Sequence, residues 1–246
     1  MAPVAVAVIP CRFGAMRFPG KPLADIHGKP MLWHVYQQAS KAKNISRVII
    51  ATDDDRIRNT CEILGLDVVM TRSDHVSGTD RVAECASRLE GDIFVNVQGD
   101  EPMIDPDAID LVAGAMLDCR DDRIVATNGY NAMHSPSDVI DTNVVKVVMR
   151  LDGRALAYSR MAIPFPKGAE VQFNRQLGLY AFRREGLQHF SAHEAGPVER
   201  AEGVEMFRFL EHGYDVLMVE TPADEGIPVD TMSDLERVRA MMKRST

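Results

Sequence analysis

The chain has 246 residues, 28 Lys and Arg against 36 Asp and Glu, and a formal net charge of −8. Its 46% hydrophobic and 26% charged residues are the composition of a globular protein with ample core. The acidity argues against nucleic acid as a partner. No apolar run reaches the roughly 20 residues of a membrane span, so no membrane partner is expected, and the run from Pro3 to Pro10 lacks the basic flank of a signal peptide.

The first half alternates β-rich runs with helical patterns. Residues 4–9 are apolar throughout, as in a strand buried on both faces. Helix is predicted over 31–43, strand over 47–51, helix over 54–64 ending at Gly65, and strand over 67–70. A helix follows over 79–89, with Ser77 or Gly78 near its N-cap, then a strand over 92–97. Asp105 caps a further helix with Pro106 at its first position, and Ile109, Val112, Ala113 and Met116 recur at helical spacing. The second half is less regular: strands at 144–149, 177–182 and 215–220, and a closing helix over 233–243. Alternation of this kind implies βαβ units, a mostly parallel sheet and helices on both faces. The expected fold class is α/β, one domain over 1–246 with a β-rich excursion at about 130–182. Cys11, Cys61, Cys85 and Cys119 form no C-x-x-C pair, which points to a reducing compartment, the cytoplasm, rather than a disulfide framework.

The first strand runs into Cys11-Arg12-Phe13-Gly14-Ala15-Met16-Arg17-Phe18-Pro19-Gly20-Lys21-Pro22, and the first acidic residue is Asp25. An acidic protein thus opens with three cations and two glycines in the loop after its first strand, where open α/β sheets bind ligands. Arg offers a fork and Lys a point charge to phosphate oxygens. The spacing is not that of a Walker A loop, and no two glycines lie two apart as the dinucleotide fingerprint requires. Incidental surface cations are the alternative.

Gln98-Gly99-Asp100-Glu101-Pro102 follows the fourth strand, with Gly99 read as the residue that permits a tight turn. Asp100 is a natural magnesium ligand, and Asp230, in Pro228-Val229-Asp230-Thr231, is a candidate partner. A turn former and a helix-entry residue are the bland readings of the two. Ser77-Gly78-Thr79 opens a helix whose N–H groups could face an anion or a base edge. A zinc hydrolase built on His189-x-x-x-His193 with Glu194 lacks a clear third ligand and the H-E-x-x-H pattern.

Together these pieces resemble the nucleotidyltransferases that make CMP-sugars, most closely the 3-deoxy-manno-octulosonate (Kdo) cytidylyltransferase, or CMP-Kdo synthetase, family. The resemblance is carried by residues 9–12, 17–23, 74–81, 96–104, 143–148, 177–180 and 229–231, and runs in order from residue 4 to about 240. It implies a Rossmann-like nucleotidyltransferase domain of mixed, mostly parallel sheet that binds CTP and Mg2+, makes lipopolysaccharide precursors, and forms a homodimer through the β-rich excursion. It assigns Arg12, Arg17 and Lys21 to the triphosphate and to catalysis. Arg72, Ser77, Gly78, Thr79 and Gln98 fall to the nucleotide, Asp100 and Asp230 to the metal, and Arg160, Gln176, Tyr180 and Glu205 to the sugar acid.

The departures fall on the acceptor side. Gln176 stands where the family has histidine, Met206 where it has glutamine, and Phe165 where it has tryptophan. Loss of polar contacts there leaves the expected acceptor as Kdo or a related sugar acid. The expected reaction is in-line attack of an acid's hydroxyl on the α-phosphorus of CTP with release of pyrophosphate. A different small acid such as a phosphonate, a sugar phosphate or another nucleotide, and a non-catalytic nucleotide-binding protein are the alternatives.

Overall fold

A computed structural model describes residues 3–14, 18–168, 170–222 and 226–243. The elements in chain order are β1 (Ala5–Cys11), a 3₁₀ turn (Lys21–Leu23), β2 (Asp25–Ile26), β3 (Lys29–Pro30), α1 (Met31–Ala39), β4 (Arg47–Thr52), α2 (Asp55–Leu64), β5 (Val68–Met70) and α3 (Gly78–Arg88). They continue with β6 (Ile93–Asn96), α4 (Pro106–Asp118), β7 (Ile124–Ala132), α5 (Pro136–Ile140), β8 (Lys146–Met149), β9 (Ala155–Ser159) and β10 (Asn174–Arg183). The chain closes through α6 (Arg184–Ala192), α7 (Pro197–Glu202), α8 (Phe207–Glu211), β11 (Asp215–Glu220) and α9 (Met232–Met242).

The central sheet runs β11-β7-β10-β6-β1-β4-β5. Pairing is parallel at β1–β4, β1–β6, β4–β5 and β11–β7, and antiparallel where β10 meets β6 and β7. One reversed strand in an otherwise parallel sheet is the expected mixed α/β arrangement. β1 shows why both faces are covered. Ala5, Ala7, Ile9 and Cys11 enter one core with α1, α2 and α4, while Val6 and Val8 enter the other with α3, α6 and α8. A smaller cluster, Ile26, Met31, Val229, Leu235 and Val238, ties α9 to the β2–β3 hairpin.

Several boundaries have local causes. Asp54 accepts the Arg56 N–H and Gly65 turns left-handed, so α2 starts and stops where predicted. Ser77, not Gly78, is the N-cap of α3, in a reciprocal capping box with Asp80. α1 ends at Ala39, four residues short of expectation; the Ser40 hydroxyl donates to the Tyr36 carbonyl and the next N–H closes a tighter turn on Gln38. β7 is absent from the sequence reading: Asn128, Gly129 and Asn131 break its β-pattern. Asn128 is nevertheless fully buried, its amide donating to the Leu177 and Leu179 carbonyls across the bulge of β10 between Gln176 and Tyr180. β8 and β9 form an antiparallel extension hung on the start of β10.

Candidate functional site

A cleft of about 350 Å³ opens at the carboxyl ends of β1 and β6. The loop after β1 forms one wall, the first turn of α3 another, and the turn after β6 its floor. Arg12, Lys21, Ser77, Gly78, Gln98, Asp100 and Asp230, all singled out in the sequence, line it together. Arg17 lies outside the described residues.

The loop after β1 is closed by its own backbone. The Gly20 N–H donates to the Phe13 carbonyl at 2.8 Å, and Gly20 takes φ +74°, a conformation that favours glycine. A side chain there would also strike the Phe13 ring 2.9 Å away. The 3₁₀ turn that follows aims Lys21 into the cleft. Its ammonium donates to Asp100 Oδ2 at 2.6 Å, to the Val229 carbonyl at 3.0 Å and to Asp230 Oδ1 at 3.3 Å. The Val229 N–H donates to the Asp100 carbonyl at 2.8 Å, which fixes the two acidic segments side by side. Two carboxylates and a carbonyl therefore converge on one point, held together by a cation. That hard oxygen set suits a divalent ion such as magnesium.

Gly99 lies in the tight turn expected there, closed by the Glu101 N–H on the Gln98 carbonyl at 3.3 Å, and has a further reason to be glycine. It is not among the left-handed glycines; a Cβ on it would lie 2.7 Å from the Pro10 carbonyl oxygen and 3.0 Å from Cys11 Sγ. Its role is close approach of the acidic turn to the end of β1. Cys11 is buried there, and burial pushes its thiol pKa up, which removes it as a nucleophile.

The other predicted residues sit around this cleft rather than on its wall. Arg72 is exposed and paired with Asp74. Thr79 is fully buried beneath the first turn of α3; its hydroxyl donates to Glu205 and accepts from Asn96 Nδ2. Burial raises the Glu205 pKa, with the Thr79 hydrogen bond opposing it. Gln176 donates to the phenol oxygen of Tyr180 at 2.7 Å, and burial raises the Tyr180 pKa, with Glu205 adding to the effect. Arg160 donates to the carbonyls of Glu202, Thr142 and Gly203, three of the five N–H bonds a guanidinium offers.

Three residues outside the predicted site support it. Arg81 lines the cleft, almost fully buried, tied to Thr71 and to Asp53; its place in the first turn of a capped helix was the available signal. Lys146 is fully buried and donates to the carbonyls of Asp141, Val144 and Arg160, so it anchors the backbone that carries Arg160. Arg208 makes a two-pronged bond to Glu199 and lies over the Phe190 ring, which locks the segment bearing Glu205. The expectation that Met206 marks a changed acceptor contact is corrected: Met206 is fully buried in the core on the α3 side, so its exchange is one of packing.

A cytidylyltransferase family profile matches residues 6–219. The chain is 44% identical over 242 residues, 98% of its length and 95% of the relative's, to the 3-deoxy-manno-octulosonate cytidylyltransferase of Solibacter usitatus. It is 41% identical to the enzyme of that name from Escherichia coli, covering 97% of this chain and 96% of the other. A solved structure of CMP:2-keto-3-deoxy-manno-octonic acid synthetase complexed with CTP superposes with a TM-score of 0.93 at 39% identity, over 99% of this chain and all of that one. No helix among the described residues is long and apolar enough to cross a membrane.

Proposed function

The chain belongs to the 3-deoxy-manno-octulosonate cytidylyltransferase family, and on that footing we propose that it joins CMP from CTP to the hydroxyl of Kdo and releases pyrophosphate. The observation that carries this reading is the bonding of Lys21 to Asp100 and Asp230 in the cleft. In the free protein Lys21 holds two like charges together; with nucleotide present its ammonium turns to the triphosphate. Arg12 on the rim adds a second cation, and the family assigns Arg17 a third. These cations take up the charge that grows on the α-phosphate and on departing pyrophosphate. Asp100 and Asp230 would hold Mg2+, which when bound offsets triphosphate charge. Gln98 and the Gly78 N–H face the nucleotide, with Ser77 fixing the turn through its capping box. Arg160 directs its remaining donors at the acceptor's carboxylate, and the Glu205–Thr79 and Gln176–Tyr180 pairs receive its hydroxyls.

Kdo itself, rather than another small acid, is favoured because Gln176 keeps a donor on Tyr180 and Met206 packs into the core. Ile140, Leu156, Met161 and Phe165 are exposed around the β8–β9 extension, which suits a homodimer contact there. Four unpaired cysteine thiols suit the cytoplasm. The test is pyrophosphate release with Mg2+, CTP, UTP, ATP and GTP against Kdo and related acids. Release confined to CTP with Kdo is expected. CTP binding without release from any acid would overturn the catalytic reading, and preference for another acid would move the acceptor.

A further inference from the structure

Three imidazoles that the transferase chemistry does not use meet where α6 ends and α8 turns into β11. His189 lies in the last turn of α6, His193 is the residue that caps it, and His212 caps α8. Their rings stand 4.1 Å (189–193), 4.9 Å (189–212) and 4.4 Å (193–212) apart, centre to centre. One ligating nitrogen from each lies within 4.8 Å of the other two. The sequence showed only the His189-x-x-x-His193 pair; the third ligand is 19 residues further on and is delivered by the fold.

From this geometry we infer that His189, His193 and His212 form a three-histidine site for a borderline divalent metal, Zn2+ foremost, separate from the carboxylate site in the cleft. Two further observations point to a ligand. The Nε2 atom of His189 is buried and has no hydrogen-bond partner among the described residues, while the His193 ring stacks on its ring and the His212 ring stands edge-on to it. A buried ring nitrogen without a partner is costly unless something occupies it. His193 Nδ1 lies 2.8 Å from the His189 carbonyl. A carbonyl only accepts, so Nδ1 carries the hydrogen and Nε2 presents its lone pair, the arrangement that orients metal-binding histidines.

The donor set selects the ion. Three imidazoles and no carboxylate suit Zn2+, not Mg2+ or Ca2+. Zinc–nitrogen bonds of about 2.0–2.1 Å place two ligands of a tetrahedral ion roughly 3.4 Å apart. Closure therefore needs a small inward swing, which exposed His193 and His212 can make while His189 stays packed against Phe209 and Tyr214. A fourth position faces solvent. Because β11 begins at Asp215, His212 sits at the amino end of its strand, the sheet edge opposite the cleft.

The experiment uses the tag-free, chelator-washed full chain titrated with zinc chloride by calorimetry in saturating Mg2+, which fills the carboxylate site. One Zn2+ per chain is expected. His193→Ala and His212→Ala should each weaken binding roughly tenfold or more, and the double variant should abolish it, while Mg2+-dependent transferase activity stays unchanged. Co2+ added to the wild-type chain should give the strong visible bands of a four-coordinate ion, a readout that needs no variant. Absence of saturable zinc binding, or binding that survives the double substitution, would overturn the site and leave the three rings as packing only.

Discussion

The nucleotide half and the acceptor half of this protein are built by opposite means. On the nucleotide side, loops at the carboxyl ends of β1 and β6 and the first turn of α3 each bring a short run of chain with its functional groups already adjacent. Gly20 and the Ser77 capping box are local devices that aim those runs, and Gly99 lets the acidic turn close on the end of β1. On the acceptor side, Arg160, Gln176, Tyr180 and Glu205 come from four separated positions and depend on buried polar anchors: Lys146 under Arg160, Arg208 beside Glu205, Asn128 behind the bulge of β10. Substitutions in the first half should therefore strike turnover with little loss of folding. Those in the second should strike folding and acceptor binding together.

The largest effect tests the first half of that contrast. Lys21→Ala removes the charge that binds Asp100 to Asp230 and, in the proposed mechanism, a donor to the triphosphate. A loss of about 10³-fold in kcat/KM is expected, with the thermal midpoint nearly unchanged; near-normal turnover would remove Lys21 from the chemistry. The acceptor half should answer differently to Lys146→Met. That change takes the ammonium donor from three half-buried carbonyls, of which that of Asp141 keeps the Val144 N–H, a cost of about 2 kcal/mol in urea unfolding. At concentrations where the variant is folded, KM for the acceptor should rise while KM for CTP holds. Equal rises in both would show that Lys146 supports the whole sheet rather than the Arg160 strand.

The same contrast decides what could be read in advance. The seven elements read over residues 4–97 follow hydrophobic alternation and local caps, so that span was legible except for the 3₁₀ turn and the β2–β3 hairpin; Arg12, Lys21, Asp100, Asp230, Ser77 and Gly78 were visible as cations, carboxylates or helix-entry residues, and Gln98 through the family resemblance alone. Gly99 was visible as a turn residue, but its close approach to the Pro10 carbonyl depends on a neighbouring strand that local spacing does not show. β7 was missed because a fully buried Asn128 reads as a breaker until the bulge that it bonds is in view. His212 belongs to the same class. Its relation to His189 and His193 exists only after α7, α8 and the turn into β11 are in place.

Met206 and Gln176 give the finest test, because sequence and packing assign them opposite weights. If Met206 marked an acceptor contact, restoring the family's glutamine would improve acceptor binding. Its full burial predicts the reverse: Met206→Gln places an amide among Phe209, Val204 and their neighbours and should cost about 1–3 kcal/mol of stability without lowering KM for Kdo. Gln176→His is the smallest change. An imidazole nitrogen can replace the amide donor that Gln176 gives to the Tyr180 oxygen, so kcat/KM for Kdo should stay within about threefold, a free-energy change under roughly 0.7 kcal/mol. Gln176→Leu, of similar size but with no donor, separates position from chemistry. It should raise KM for the acceptor and leave CTP binding alone; if both variants behave like the wild type, the Tyr180 phenol is held by packing and the acceptor side has one polar determinant fewer than its geometry indicates.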